Sequence, residues 1–274
     1  LCLFTFAVAQ KNQEETNELV HAEMKSAAKL LAVTVNPNTA NYDITYHKLE
    51  FTVDPAVYFV AGKITTTYTA LADMPTITFD LASELTVSEV KQNNTNLVFT
   101  QNTNDELIIT LPATQPNGTS ATVEVTYSGA PPISGFQAFA ATNHNNTPVL
   151  WTLSEPFGAR DWWPCKQDLN DKIDAIDVFI TAPSQYIAVS NGIEPETPVV
   201  IGANKITHFH HNYPIPAYLI CMAVTDYTVY TQSAGTAPNT YPIVNYIYPE
   251  NFTTSVQNDL NQTPLILNFY SDLL

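Results

Sequence analysis

Between Tyr42 and Tyr230 the chain repeats one pattern: side chains suited to a core fall at every second position. Val60, Gly62, Ile64, Thr66 and Tyr68 form one such series; Ile77, Phe79 and Leu81 form the next. Leu107, Ile109 and Leu111 follow, then Val123, Val125 and Tyr127, then Ile176, Val178 and Ile180, and last Tyr218, Ile220, Met222 and Val224. A period of two sends alternate side chains to opposite faces of a strand. The breaks read "DPAVY", "QPNGTS", "GAPPIS", "NHNNTP" and "SNGIEPETP". These supply the Pro, Gly and Asn that tight turns need. Many short strands without helical pattern between them predict a mainly β fold, a large antiparallel, saddle-like β-sandwich over residues 41–235.

The flanks read differently. "LCLFTFAVAQ" is an apolar run ending in Ala7-Val8-Ala9. That is the pattern of a secretory signal peptide and its cleavage site, so residues 1–9 read as a signal remnant of a bacterial-type exported protein, periplasmic, cell-surface or extracellular. The run is too short to span a bilayer, and no transmembrane segment is expected. Residues 10–40 read as a leader helix and linker, with Val20, Met24, Ala27 and Leu31 on one helical face. Residues 236–274 begin with a strand and turn, "YPIVNYIYPENF". A helix then starts at Thr253 or Thr254 and carries Val256, Leu260, Leu265, Leu267 and Phe269. This stretch reads as the start of a further domain.

Composition excludes one class of partner. The formal net charge is -16, and the 10 Lys and Arg never cluster, so the chain lacks the cations that neutralise nucleic-acid phosphates. An acidic field suits a cationic ligand such as the free amino terminus of a peptide. Motifs for hydrolysis or nucleotide binding are missing: there is no HExxH, GxSxG, P-loop or GxGxxG. In "THFHHN", His208 and His210 share one strand face and His211 takes the other. Two same-face imidazoles suit a metal only if a third ligand joins them, and a solvent-facing pair flanking an inward Phe209 is the plainer reading. Cys165 has no His near it in sequence and reads as a small buried side chain rather than a nucleophile. Whether Cys165 and Cys221 pair is left open by the sequence.

One stretch stands apart: "WTLSEPFGARDWWPCKQDLNDK", Trp151 to Lys172, holds all three Trp. Arg160 is a rigid five-donor fork able to tie loop carbonyls or carboxylates together. Trp162 and Trp163 can pin the loop by burial, and Pro156 and Pro164 fix its turns. A loop stapled this heavily holds something in place, and Glu155, between Ser154 and Pro156, is the candidate. Asp171 and Asp174 read as solvated.

"EPFGARDWWPCKQDLNDK" followed by "VFITAPSQYIAVSNG" resembles the N-terminal domain of zinc aminopeptidases of the aminopeptidase N and leukotriene A4 hydrolase family. Glu155, Ala159-Arg160, Trp163-Pro164-Cys165 and Ser190-Asn191 match the family pattern. "VYFVAGKITTTYTAL" is similar to its early Gly-bearing strand, and "IPAYLICMAVTDY" to a later one. Gln167 and Leu169 depart from the acid pair and Pro of that pattern, while Asp168 keeps one acid. The resemblance implies a saddle-shaped β domain packed in cis on a thermolysin-like zinc domain. It implies that Glu155 binds the α-amino group of a peptide substrate, with Arg160, Trp163, Pro164 and Cys165 supporting its loop. Zinc would be held by residues beyond Leu274, so no catalytic or metal residue is expected in this chain, and the chain alone is expected to be inactive. The rival readings are a non-catalytic β-sandwich for adhesion or carbohydrate binding, with Tyr and Trp rows stacking on sugars, and a family member that has lost zinc catalysis.

Overall fold

The structure, a computed structural model, describes residues 35–133 and 137–273. The signal-like run and the helical part of the leader lie outside the described residues. Three sheets share one core. The largest has eight strands in the order β13 (Val199–Ile201), β14 (Asn204–His211), β11 (Ala175–Pro183), β1 (Tyr42–Thr52), β2 (Val60–Ala70), β8 (Ser120–Gly129), β4 (Thr86–Gln92) and β5 (Thr95–Asn96). A three-stranded sheet runs β3 (Met74–Asp80), β7 (Glu106–Gln115), β6 (Phe99–Gln101). A four-stranded sheet runs β12 (Ile187–Ser190), β15 (Met222–Thr225), β10 (Thr147–Thr152), β9 (Phe139–His144).

The alternation read from sequence is the alternation seen. Along β2 every second residue from Val60 to Ala70 is buried, and β11 repeats this from Ile176 to Ala182. Leu49 and Phe51 of β1, Ile77 and Phe79 of β3, Ile109 of β7, Leu150 of β10 and Val224 of β15 meet in one apolar cluster. The fold is therefore the expected mainly β arrangement of antiparallel sheets, with one exception. β1 and β11 pair in parallel, from Tyr46 opposite Ala175 to Thr52 opposite Thr181. A parallel pair needs a long crossover, and residues 53–174 supply it. A second difference lies at Tyr218 and Ile220, expected in a strand. Pro214 and Pro216 precede a 3-10 turn at Ala217–Leu219, and β15 starts only at Met222. A proline lacks the N–H that a ladder would use.

Beyond Thr225 the chain leaves this core. β16 (Thr228–Thr236) and β17 (Asn239–Ile247) pair only with each other among the described residues. Two helices follow, α1 (Thr254–Leu260) and α2 (Gln262–Leu273). Thr253 caps α1 by accepting from the Val256 N–H, at the start expected from sequence. α2 lies along β16, where Asn268 Oδ1 accepts from the Gly235 N–H at 2.7 Å. Its other side leaves Leu265, Ile266, Phe269, Tyr270 and Leu273 exposed.

Candidate functional site

The Trp-rich stretch is a continuation of β10. The Leu153 N–H donates to the Ala138 carbonyl at 2.9 Å, and the chain then turns through residues 155–158, closed by the Gly158 N–H on the Ser154 carbonyl at 2.8 Å. A Cβ at position 158 would lie 2.6 Å from the Ala138 Cβ, so only glycine fits there. One turn of 3-10 helix, Ala159–Asp161, delivers Trp162 and Trp163 into the core, both with no exposed surface. The Trp162 indole N–H donates to Ser154 Oγ at 2.9 Å, and its ring packs 5.0 Å from Phe51. Trp163 meets His47 edge to face at 5.3 Å. Burial lowers the His47 imidazole to about 3, so it is neutral, and its Nδ1 lies 3.0 Å from the Thr66 hydroxyl.

A hydroxyl from the opposite sheet completes the brace. Tyr127 of β8 donates to the Trp162 carbonyl at 2.7 Å. Gly62 sits directly opposite Tyr127 on β2, and a Cβ there would come within 2.5 Å of the Tyr127 ring. The glycine of the early strand thus exists to let that ring cross.

The second half of the loop is tied by backbone and buried polar groups. Cys165 and Asp80 exchange main-chain hydrogen bonds at 2.8 and 3.0 Å. Asp80 Oδ2 accepts from the Gln167 N–H at 3.0 Å, and its Oδ1 from Asn36 Nδ2 at 2.9 Å. Burial still holds the Asp80 carboxyl above the ordinary carboxylate range. Gln167, which stands where the resembled pattern has an acid, accepts from the Arg160 N–H at 3.3 Å. Pro164 and Cys165 are buried. Burial, with Asp80 nearby, pushes the Cys165 thiol well above its usual range, so it carries no thiolate chemistry. Cys165 and Cys221 are both free thiols.

Arg160 ties the loop through backbone and side chain: its carbonyl accepts from the Ala82 N–H at 2.9 Å, and its guanidinium pairs with the Asp105 carboxylate at 3.5 Å. One expectation is corrected here. Asp171 is not solvated. It pairs with Lys166 at 2.5 Å, the two side chains being 6% and 5% exposed, and the Lys166 ammonium also donates to the Tyr42 carbonyl at 2.6 Å. An ion pair this buried costs about 3–5 kcal/mol when one partner is removed. Asp174 is exposed, as expected, and Asp168 is half-buried, accepting from the Asn170 N–H at 2.9 Å.

Within this frame Glu155 is exposed, at the first position of the turn. Its neighbours Ser154 and Ala159 are buried. Among the described residues no hydrogen-bond or ion-pair partner engages its carboxylate. The turn thus presents this carboxylate at the surface, with no partner among the described residues.

The His pair takes a different role from metal binding. His208 Nε2 and His210 Nδ1 both donate to Asp177 Oδ1, at 2.6 and 2.9 Å, and His208 Nδ1 donates to Glu196 at 2.6 Å. His208 is thus held between two carboxylates on the outer face of the eight-stranded sheet, stacked on Phe179 at 4.1 Å. Among the described residues no three His, Cys, Asp or Glu side chains are placed to hold a metal ion. No helix among them is long and apolar enough to cross a membrane.

The family model described as the Peptidase M1 N-terminal domain matches residues 38–219. The chain belongs to that family. The match ends at the 3-10 turn before β15 and takes in the whole Trp-rich loop. A leucine aminopeptidase 2 from Chaetomium globosum is 32% identical over 88 residues, covering 32% of this chain and 14% of that protein. A glutamyl aminopeptidase from Mus musculus is 27% identical over 136 residues, 50% of this chain and 13% of that one. Among solved structures, a mutant two-domain M1 zinc metallopeptidase bound to L-arginine superposes with a TM-score of 0.67 at 23% identity, over 75% of this chain and 48% of its own. This chain therefore spans about half of that solved relative and a smaller share of the other two.

Proposed function

We propose that this M1 N-terminal domain anchors substrate for an exported zinc aminopeptidase, with Glu155 receiving the free α-amino group of a peptide. The observation that carries the reading is the exposed Glu155 carboxylate, without a partner among the described residues, on a turn set between the buried Ser154 and Ala159. A fixed carboxylate facing an ammonium forms charge-assisted hydrogen bonds and measures one residue from the chain end. The formal charge of -16 favours approach of a cationic terminus. Relatives named as aminopeptidases and a solved relative holding an amino acid support the substrate class. Zinc, on residues outside this chain, would polarise the scissile carbonyl and activate water. Export rests on the Leu1–Gln10 run.

The sugar-stacking alternative loses its Trp row: Trp162 and Trp163 are fully buried and Trp151 is half-buried. In the complete protein, Glu155→Ala is expected to raise KM for an aminoacyl anilide about tenfold to a hundredfold, the worth of a hydrogen bond to a charged group. Glu155→Asp should recover part of the loss. Unchanged KM in both variants would refute the anchoring role.

A further inference from the structure

Away from the loop, His144 is engaged at both ring nitrogens and on one ring face. It ends β9, and its side chain is 7% exposed. Nδ1 lies 2.9 and 3.2 Å from the two carboxylate oxygens of Glu250, in the 3-10 turn Pro249–Asn251 that leads toward α1. Nε2 lies 2.8 Å from Thr225 Oγ1 and 3.1 Å from Asp226 Oδ1. Tyr248 stacks on the imidazole at 3.9 Å and 6°, and Tyr227 lies parallel to Tyr248 at 5.8 Å.

Two acids and a hydroxyl converge on the two ring nitrogens. Glu250 is held below the ordinary carboxylate range by its own backbone N–H and, against some burial, by His144. An ionised carboxylate only accepts, so the contact to Glu250 puts a hydrogen on Nδ1. Nε2 lies between the Thr225 hydroxyl, whose oxygen also reaches the Pro148 carbonyl at 2.7 Å, and the Asp226 carboxylate. Asp226, Glu250, Thr225, Tyr248 and Tyr227 are the groups that face it.

The position of this ring gives it a mechanical role. Asn145 and Asn146, with φ of 43° and 68°, turn the chain so that His144 pairs with Thr147. The β9–β10 ladder then continues to Phe139 opposite Thr152, three residues before Glu155. One end of a hairpin is pinned to residues 225–226 and 248–250, and the other end carries the proposed anchor. We propose that His144 is a positioning residue, a buried rivet that fixes the sheet feeding Glu155 to the segment entering α1. Its consequence for substrate rests on the anchoring reading above; the rivet itself does not.

The test uses the complete protein with three variants, His144→Leu, His144→Gln and Glu250→Gln. The last changes a partly exposed side chain and keeps the fold safe if His144 variants misfold. In the wild type, 15N spectra of labelled histidine should show a hydrogen on His144 Nδ1, the nitrogen that faces Glu250. Hydrogen exchange of residues 139–152 and 222–252 should accelerate about tenfold in His144→Leu and Glu250→Gln, as expected when a local opening loses a charge-assisted contact. KM for a free-amino anilide should rise while kcat is retained, and His144→Gln, which keeps one donor, should fall between. A bare Nδ1, or unchanged exchange, would overturn the rivet. Faster exchange with unmoved KM would overturn the positioning role. If Glu155→Ala leaves KM unmoved, the anchoring reading fails, and exchange still decides the rivet.

Discussion

The loop from Ser154 to Gln167 and the helix α2 both carry large apolar side chains, and they dispose of them in opposite ways. The loop buries Trp162 and Trp163 completely and is tied to β1, β3 and β8 by named hydrogen bonds and ring contacts. The helix leaves Leu265 at 62% and Phe269 at 63% exposure, and no residue of β16, β17, α1 or α2 joins the main apolar cluster. The first region is finished by its own fold. The second has an apolar face that nothing among the described residues covers. Buried ties are concentrated around the proposed anchor Glu155, and exposed apolar surface lies on a helix that contributes nothing to that loop.

The largest expected effect tests the first half of this contrast. Trp162→Ala removes a fully buried ring and the donor to Ser154, and should cost about 3–5 kcal/mol in urea unfolding. A loss below about 1 kcal/mol would mean that the loop is not part of the core. Gly158→Ala comes next. The new methyl would meet Ala138 at 2.6 Å, and overpacking of this kind costs about 1–3 kcal/mol. Its sharper readout is KM, since the shift displaces the turn bearing Glu155.

A pH effect probes the boundary between the regions. Glu196 in the loop before β13 is bonded to His208, and Glu194 of the same loop accepts from Tyr246 of β17 at 3.1 Å. Although burial opposes it, hydrogen bonds to Asp177 and Glu196 raise the His208 imidazole above its ordinary value of 6.5. A raised imidazole contributes stability that is complete below that ordinary value and is lost as pH rises through the raised one. Unfolding free energy should therefore fall by a few tenths of a kcal/mol, the scale of a solvated ion pair, as pH rises from the ordinary value of 6.5 through the raised one. His208→Gln should flatten that slope, and a slope that persists would place the titration elsewhere. Leu265→Ala is the smallest effect, within about 0.5 kcal/mol for this 274-residue chain. A loss comparable to that of Trp162→Ala would break the contrast.

Strands were legible because burial on one face imposes a period of two, as along β2 and β11. The loop was legible because Trp and Pro at that density have few other uses. The parallel pairing of β1 with β11 was not, because its partners are separated by two other sheets' worth of chain. Asp171 was misread because acidic residues beside Asn and Lys look solvated, and only the fold shows Lys166 turned inward onto the Tyr42 carbonyl. His144 gave no signal at all: a lone imidazole in "NHNNTP" acquires meaning from Asp226 and Glu250, far along the chain. Gly158 could have been found, since a glycine between two aromatic-braced turns asks what approaches it.

The crossing of Tyr127 over Gly62 has a consequence for how such chains diverge. The ring occupies the volume a methyl group would need, so the two positions form one heritable unit. A lineage that enlarges the smaller residue must shrink the larger one in step, and by doing so surrenders the phenol that holds the tryptophan pair in register.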